Sequence, residues 1–361
     1  MTKLLPDVIV INLHRRFTGV SATIKSLVPV QRQHVEIGVV DSGGLGLGGE
    51  WTFRELAIAG FRKSETSSYR VWHARRALEM LVGVILRDVL RQRWKLVFTA
   101  ASNRRPSGFQ RFLINRMDAV IAASPFSASL QDWYSKVILH GVDCSLFRPK
   151  VNEGEMVGKA RFGGRRAVGL VGRIRAKKGS DMFVNAMVEV LQEHPDCVAV
   201  LIGSCRPVHK RFKASLIAKA AAVGLSEQVI FMDQLDQAEL ADVYREMEIC
   251  VACSRQEGFG LTPLEAFACG TPVIATKAGA WPDLVDDEIG ALIDVDDTAA
   301  LVRELQRLLS DPDRIRSMGK AARNRTVERH SIEKEASAIV EVYRRLMNGE
   351  TIPKSVPAIN N

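Results

Sequence analysis

The chain has no apolar run of the roughly 20 residues that a membrane span needs. Its best stretch, 77–90, is interrupted by Glu79, Arg87 and Asp88. The start of the chain lacks the basic, apolar and small-residue order of a secretion signal, so a cytoplasmic protein is expected. Aromatic residues are scarce, at 6%. There is no zinc finger and no aromatic-rich basic RNA-binding signature, so a nucleic-acid partner is not expected. Of six cysteines only Cys250 and Cys253 form a C-x-x-C, without the second pair that a structural metal site would use. They lie in an apolar, strand-like run and read as small core residues of a reducing compartment. No metal is expected. Low-complexity composition is also missing, and only 350–361 reads as a loose tail.

What is present is an ordinary globular composition, 47% hydrophobic and 25% charged, over 361 residues. That length suits two domains of about 150–200 residues each. The net charge of +9 is unevenly spread: residues 1–150 carry 22 Lys and Arg against 11 Asp and Glu, whereas the remainder carries 28 against 30. A basic first half attracts anionic partners, such as a phosphorylated glycolipid or an acidic membrane surface.

Short apolar runs alternate with amphipathic stretches throughout, the pattern of parallel sheets covered by helices on both faces. In the first half, strands are expected at 8–12, 35–40, 95–99, 119–122 and 137–139, with helices at 50–60 and 68–91. A linker rich in Pro, Gly and charge spans 147–164, after which the pattern restarts. Strands are expected at 167–171, 198–202, 229–232, 249–252 and 272–276. Helices are expected at 180–192, 213–222, 239–247, 263–269, 298–309 and 331–347. The division is therefore 1–150, 151–330, and a closing helix and flexible tail at 331–361. In doubly wound sheets ligands bind beyond the carboxyl ends of the strands, so the informative residues belong in post-strand loops.

Two loops carry that information. Glu257-Gly-Phe-Gly-Leu-Thr-Pro-Leu-Glu265 follows a strand and opens a helix, with Pro263 suited to the first turn. Gly258 and Gly260 let a ligand approach the backbone, and unpaired first-turn amides suit a diphosphate or a sugar hydroxyl. Glu257 and Glu265 can each accept hydrogen bonds from vicinal hydroxyls. The second loop, Gly172-Arg-Ile-Arg-Ala-Lys-Lys-Gly179, offers the fork of Arg173 and the point charge of Lys178 for phosphates. Two further patterns are read structurally. Gly44-x-Gly46-x-x-Gly49 follows the second strand of its domain, not the first, and reads as a flexible loop. Asp294-Val-Asp296 lies near a helix start, where acids cap.

These motifs resemble those of the retaining glycosyltransferase family 4 of GT-B fold. The resemblance rests on Gly172-Arg173 with Lys178-Gly179, the E-x7-E of Glu257 and Glu265, and Ala268-Cys-Gly-Thr-Pro-Val273. It also rests on Gly279 to Pro282, Gly290, and Ile138-Leu-His-Gly-Val-Asp143 with Phe147 and Pro149. It implies an α/β fold of two Rossmann-like doubly wound domains facing a central cleft. It implies that Glu257 contacts donor-sugar hydroxyls, that Glu265 contacts the ribose, and that Arg173 and Lys178 hold the diphosphate. Backbone amides of Gly258, Phe259, Gly260, Leu261 and Thr262 would approach the donor. The family's first loop is richer in glycine than Arg16-Phe-Thr-Gly-Val-Ser21, which offers only Gly19. His73, in Val71-Trp-His-Ala-Arg-Arg76, resembles the family's N-domain histidine near the reacting carbon. That run, with 96–101 ahead of Arg104 and Arg105, resembles lipopolysaccharide core mannosyltransferases of the LpcC type. Arg75, Arg76, Arg104 and Arg105 are candidates for an anionic acceptor.

The expected activity is transfer of a hexose, with retained configuration, from a nucleotide diphosphate sugar, GDP-mannose by this resemblance, to a lipopolysaccharide core or similar glycolipid. UDP-glucose, UDP-galactose or UDP-N-acetylglucosamine would suit the same motifs. A sugar-nucleotide 2-epimerase and an inactive binding protein are the rival readings. No cofactor is expected, and the protein is expected to sit peripherally on the cytoplasmic face of the inner membrane, through its basic first half and a helix over 72–93 that carries Arg75, Arg76, Arg87, Arg91 and Arg93.

Overall fold

The computed structural model describes residues 5–16, 18–62, 64, 66–150 and 161–357. Two compact units form, one from 1–141 with 332–361 and the other from 142–331.

The first unit is a six-stranded parallel sheet, β1 (Val8–Asn12), β2 (Ile37–Asp41), β3 (Arg70–Ala74), β4 (Trp94–Ala100), β5 (Ala119–Ala122) and β6 (Lys136–Val137), in the order β2-β1-β3-β4-β5-β6. Period-2 alternation sorts its side chains into two cores. Val8, Val10, Val71 and Val97 face one way, packed under Ile24, Leu27 and Val28 of α1 (Gly19–Gln31). Ile9, Ile11, Trp72 and Leu96 face the other. They meet α2 (Phe53–Ala59), α3 (Ala77–Val84), a π-helical turn at Ile85–Val89 and α4 (Gly108–Ile114). A short α5 (Pro125–Ser129) follows β5.

The second unit repeats the plan with β7 (Arg166–Val171), β8 (Cys197–Ile202), β9 (Val229–Met232), β10 (Met247–Ala252), β11 (Val273–Thr276) and β12 (Gly290–Ile293), in the order β12-β11-β10-β7-β8-β9. Its helices are α6 (Ser180–Glu193), α7 (Lys210–Ala222), α8 (Gln237–Glu246), α9 (Thr262–Ala268), α10 (Thr298–Leu309) and α11 (Pro312–Arg329). Strand β7 lies between β10 and β8, so the order reverses there and the carboxyl ends of β7 and β10 open side by side. The last helix, α12 (Ile332–Met347), returns to the first unit, where Ile332, Ala336, Ile339 and Tyr343 complete the core over α1.

Four expectations change. The segment expected to be one helix over 68–91 holds β3, α3 and the π-helical turn. Strand β3 is buried on both faces, so its run lacks the alternation that marks a half-exposed strand. Helix α3 then packs back on it: a Cβ on Gly83 would lie 2.6 Å from Trp72, and the Trp72 indole donates to the Glu79 carbonyl at 2.9 Å. The basic helix 72–93, expected to face a membrane, is therefore absent as such, and Arg76 is turned into a polar network. The tail from 350 is packed through 357: Ile352 joins the core, Ser355 bridges to Tyr134, and Lys354 lies 4.0 Å over the Trp133 ring. The chain enters the second unit at Val142, ahead of the expected division at 150, and residues 151–160 of the expected linker lie outside the described residues. Helices α4, α5 and α11 and strand β12 had not been anticipated. The Gly44–Gly49 region is a loop held by side chains: Arg32 donates to the carbonyls of Leu47 and Gly48.

Candidate active site

Strand β7 delivers the basic loop and β10 delivers the glutamate loop, and three devices lock the two together. Gly179 takes a left-handed φ of 72°, and a Cβ there would lie 2.0 Å from the Cys253 carbonyl oxygen, so only glycine permits the approach. The Cys253 thiol donates to the Gly179 carbonyl at 3.2 Å, and burial raises its pKa, which keeps it a neutral packing group. Arg255 grips Asp181 through two hydrogen bonds of 2.8 and 2.9 Å and Asp296 at 2.6 Å, while its backbone amide donates to Lys177 at 3.0 Å. Asp296 thus serves as an anchor, and Asp294 pairs with Lys277 at 2.9 Å.

The consequence is that Lys178 and Glu257, 79 residues apart, form an ion pair. Both side chains are largely shielded, at 19% and 16% exposure, so the pair is less screened than a surface one. The Ser254 hydroxyl at 3.4 Å and the Gly258 amide at 3.2 Å donate to the same carboxylate. The glycine turn beyond it is held from behind by Gly279, whose Cβ would fall 2.2 Å from the Glu257 carbonyl oxygen. The Ala280 amide donates to the Gly258 carbonyl at 3.1 Å. Gly260 adopts φ 69°, and Phe259 is buried, so the turn offers backbone to a ligand at Gly260, Leu261 and Thr262.

Glu265, one turn into α9, accepts from the Tyr244 hydroxyl at 3.0 Å. Burial raises its carboxyl pKa to about 7, and the Tyr244 hydrogen bond offsets only part of that. On the basic side, Arg173 is exposed. Arg175 is half-buried with no acceptor for its Nε among the described residues, and burial together with Arg173 and Arg206 lowers its pKa. Arg206, just past β8, and Arg175 thus join Arg173 and Lys178 in one basic cluster. Sequence reading passed over both, although their positions after a strand were the available signal.

The other sequence candidates lie in the first unit. His73 is fully buried in β3, with Nδ1 on the Tyr343 hydroxyl and Nε2 on the Thr99 hydroxyl at 2.7 Å. Burial and, secondarily, Arg75 drive its pKa well below the usual value, so the ring is neutral and both nitrogens are engaged. That placement differs from the expected histidine beside the reacting carbon: the side chain ties β3 to β4 and α12. Arg76 donates to Asn12 and Glu79 at 3.0 Å each and to Thr18 at 2.9 Å, which fixes the start of α1 where Gly19 stands. Arg104 and Arg105 are exposed.

Residues 153–325 match the family described as glycosyl transferases group 1. The lipopolysaccharide core biosynthesis mannosyltransferase LpsB of Rhizobium meliloti (strain 1021) is 40% identical over 348 residues, covering 94% of this chain and 98% of the relative. The lipopolysaccharide core biosynthesis mannosyltransferase LpcC of Rhizobium leguminosarum bv. viciae is 38% identical over 343 residues, covering 94% and 97%. The crystal structure of Anabaena Alr3699/HepE in complex with UDP superposes with a TM-score of 0.79 over 94% of this chain and 99% of that one, at 18% identity, which speaks to the fold. With two parallel six-stranded sheets, a basic loop locked to a glutamate loop, and relatives matched over nearly their whole length, the chain belongs to the group 1 glycosyltransferases and is a GT-B glycosyltransferase.

Proposed function

We propose that the protein transfers mannose from GDP-mannose to an anionic glycolipid of the lipopolysaccharide core, with retention of configuration. The acceptor class and the sugar follow the named activities of the two Rhizobium relatives. The observation that carries the site is the Lys178–Glu257 pair at the joined ends of β7 and β10. A diphosphate takes over the Lys178 charge, with Arg173, Arg175 and Arg206 beside it, and frees the Glu257 carboxylate to accept sugar hydroxyls. Glu265 receives the ribose hydroxyls, and Gly19 in the first unit is kept as a donor-binding candidate.

In the reaction the bond from C1 to the phosphate oxygen breaks, and a bond from C1 to the acceptor oxygen forms on the same face. The acceptor's proton passes to the departing diphosphate. Charge separates in the transition state, and preorganised cations around the leaving group stabilise it. The cluster supplies that charge from side chains, so transfer is expected to persist in excess chelator. Arg75, Arg104 and Arg105 remain acceptor-side candidates, whereas Arg76 is engaged by Asn12, Glu79 and Thr18. His73 acts on the first unit's core through Thr99 and Tyr343 and not on the sugar.

Peripheral membrane attachment belongs to the same reading. No helix among the described residues is long and apolar enough to cross a bilayer. Exposed Ile58, Phe61, Val89, Phe109 and Phe112 lie on the helical layer of the first sheet, among exposed Arg54, Arg62, Arg91, Arg93 and Arg116. An apolar surface rimmed by arginine suits an anionic interface.

The deciding experiment is a melting-temperature screen against nucleotide sugars, because a ligand bound only by the folded state raises stability. GDP-mannose is expected to give the largest shift; a larger shift with a UDP-hexose would move the donor assignment. Incubation with donor alone separates a transferase from an epimerase, which would change the sugar without acceptor.

A further inference from the structure

Arg75 is the first residue past β3, at the point where the strand order β2-β1-β3 reverses and open sheets leave a crevice for ligands. Its guanidinium Nε and Nη1 are closed off from solvent and meet no acceptor among the described residues. Buried donors are rarely left in that state, because each loses its hydration without recovering a hydrogen bond.

The neighbouring carboxylates of Glu79 and Glu335 attract the Arg75 guanidinium but do not hydrogen-bond to it, and their oxygens are engaged by other groups. Glu79 gives Oε1 to Arg76 at 3.0 Å and Oε2 to the Arg75 backbone amide at 2.8 Å. Glu335 gives Oε1 to His140 at 2.8 Å and Oε2 to the Gly141 amide at 2.7 Å. The Tyr343 hydroxyl is bonded to His73. Arg76, next in sequence, shows the contrast, since its guanidinium is spent on Asn12, Glu79 and Thr18. The fold thus spends one arginine on structure and leaves two guanidinium nitrogens of the other without an acceptor among the described residues.

We propose that Arg75 is the anion receptor of the first unit, binding a carboxylate or phosphate carried by the sugar acceptor. The inference rests on the transferase reading for the name of its ligand, and on the orphaned guanidinium for the site itself. A guanidinium meets an oxyanion with two parallel hydrogen bonds through Nε with Nη2 or Nη1 with Nη2, so one orphaned nitrogen of Arg75 would act together with Nη2, a pairing that a lysine cannot reproduce. Among the four arginines suggested by the sequence, Arg75 is the one whose geometry selects for acceptor charge.

The test follows melting temperature during titration of the full chain with glucuronate, glucose 6-phosphate or glucose, with GDP in excess to occupy the second unit. The wild-type protein is expected to be stabilised by at least one charged sugar and not by glucose. The responding arm tells carboxylate from phosphate. Arg75→Met should abolish the shift, and Arg75→Lys should weaken it several-fold. Free Arg75→Met should melt at or above the wild-type temperature, since the change removes unsatisfied buried donors. An equal shift in Arg75→Met, an equal shift with glucose, no shift with either charged sugar, or a lower melting point of free Arg75→Met would each overturn the proposal. An undiminished response in Arg75→Lys would overturn it as well. Should no nucleotide sugar bind while the Arg75-dependent response persists, the transferase reading falls and the anion site stands.

Discussion

Lys178 and Glu257 neutralise each other across two loops, so each holds the other in place until a ligand replaces one partner. Removing either leaves a shielded charge without its counter-ion and, on the proposed reading, removes a donor contact. Lys178→Ala and Glu257→Ala are each expected to lower kcat/KM for transfer by about 100-fold or more. Circular dichroism should remain native in both, and turnover near wild type in either would remove the assignment. Glu265 adds a proton-linked prediction. Its carboxyl ionises near 7 in the fold, against an ordinary value of 4.5, so the fold binds more protons than the unfolded chain between those limits. Its contribution to stability is therefore lost as pH rises from about 4.5 through 7, and Glu265→Gln should stabilise the protein at pH 8 and not at pH 4. Under the proposed contact, ribose hydroxyls would donate to the ionised form, so nucleotide binding at pH 7 should release protons. Calorimetry in buffers of different ionisation enthalpy reads that release, and no buffer dependence would separate Glu265 from the ribose.

At the scale of elements, the site depends on how closely the loop after β7 lies against the end of β10. Gly179→Ala places a Cβ at left-handed φ against a carbonyl oxygen 2.0 Å away. Relief requires the backbone to move, at a cost of about 2–4 kcal/mol. Chemical denaturation should show that loss, and transfer should fall with it because the loop carries Lys178. The sequence pattern shows why this pair of elements was readable. Glycine, proline, acid and base recur at fixed offsets from a strand end, and local chemistry alone requires them there. Strand β3 was not readable in the same way, since a run buried on both faces has neither the alternation of a half-exposed strand nor a break before Ala77. The error carried to the arginines, which a single exposed helix would have turned to solvent. Membrane binding is better sought on the layer of α2, α3 and α4. Phe109→Ser with Phe112→Ser should reduce sedimentation with anionic vesicles at low salt, and unchanged sedimentation would place the contact elsewhere.

For the whole molecule, α12 and the tail decide how the first unit is completed. Val142 donates its amide to the His330 carbonyl at 2.8 Å, so the outgoing and returning chain run side by side at the crossing. Beyond α12, Ile352 is buried, and the Ser355 and Tyr134 backbones exchange hydrogen bonds of 2.9 and 2.7 Å. Deletion of 350–361 should therefore cost about 2–4 kcal/mol from lost burial and backbone pairing, measured as a lower denaturation midpoint. Donor binding in the second unit should be unaffected. The amino-acid order by itself determined the two doubly wound halves and the two motif loops that follow β7 and β10, because periodicity and turn chemistry act over a few residues. Only the tertiary structure decided that Lys178 meets Glu257, that His73 is enclosed with both nitrogens engaged, and that Arg75 rather than Arg76 has guanidinium nitrogens without an acceptor among the described residues. Those outcomes depend on which distant groups are already hydrogen-bonded, and no local spacing records that.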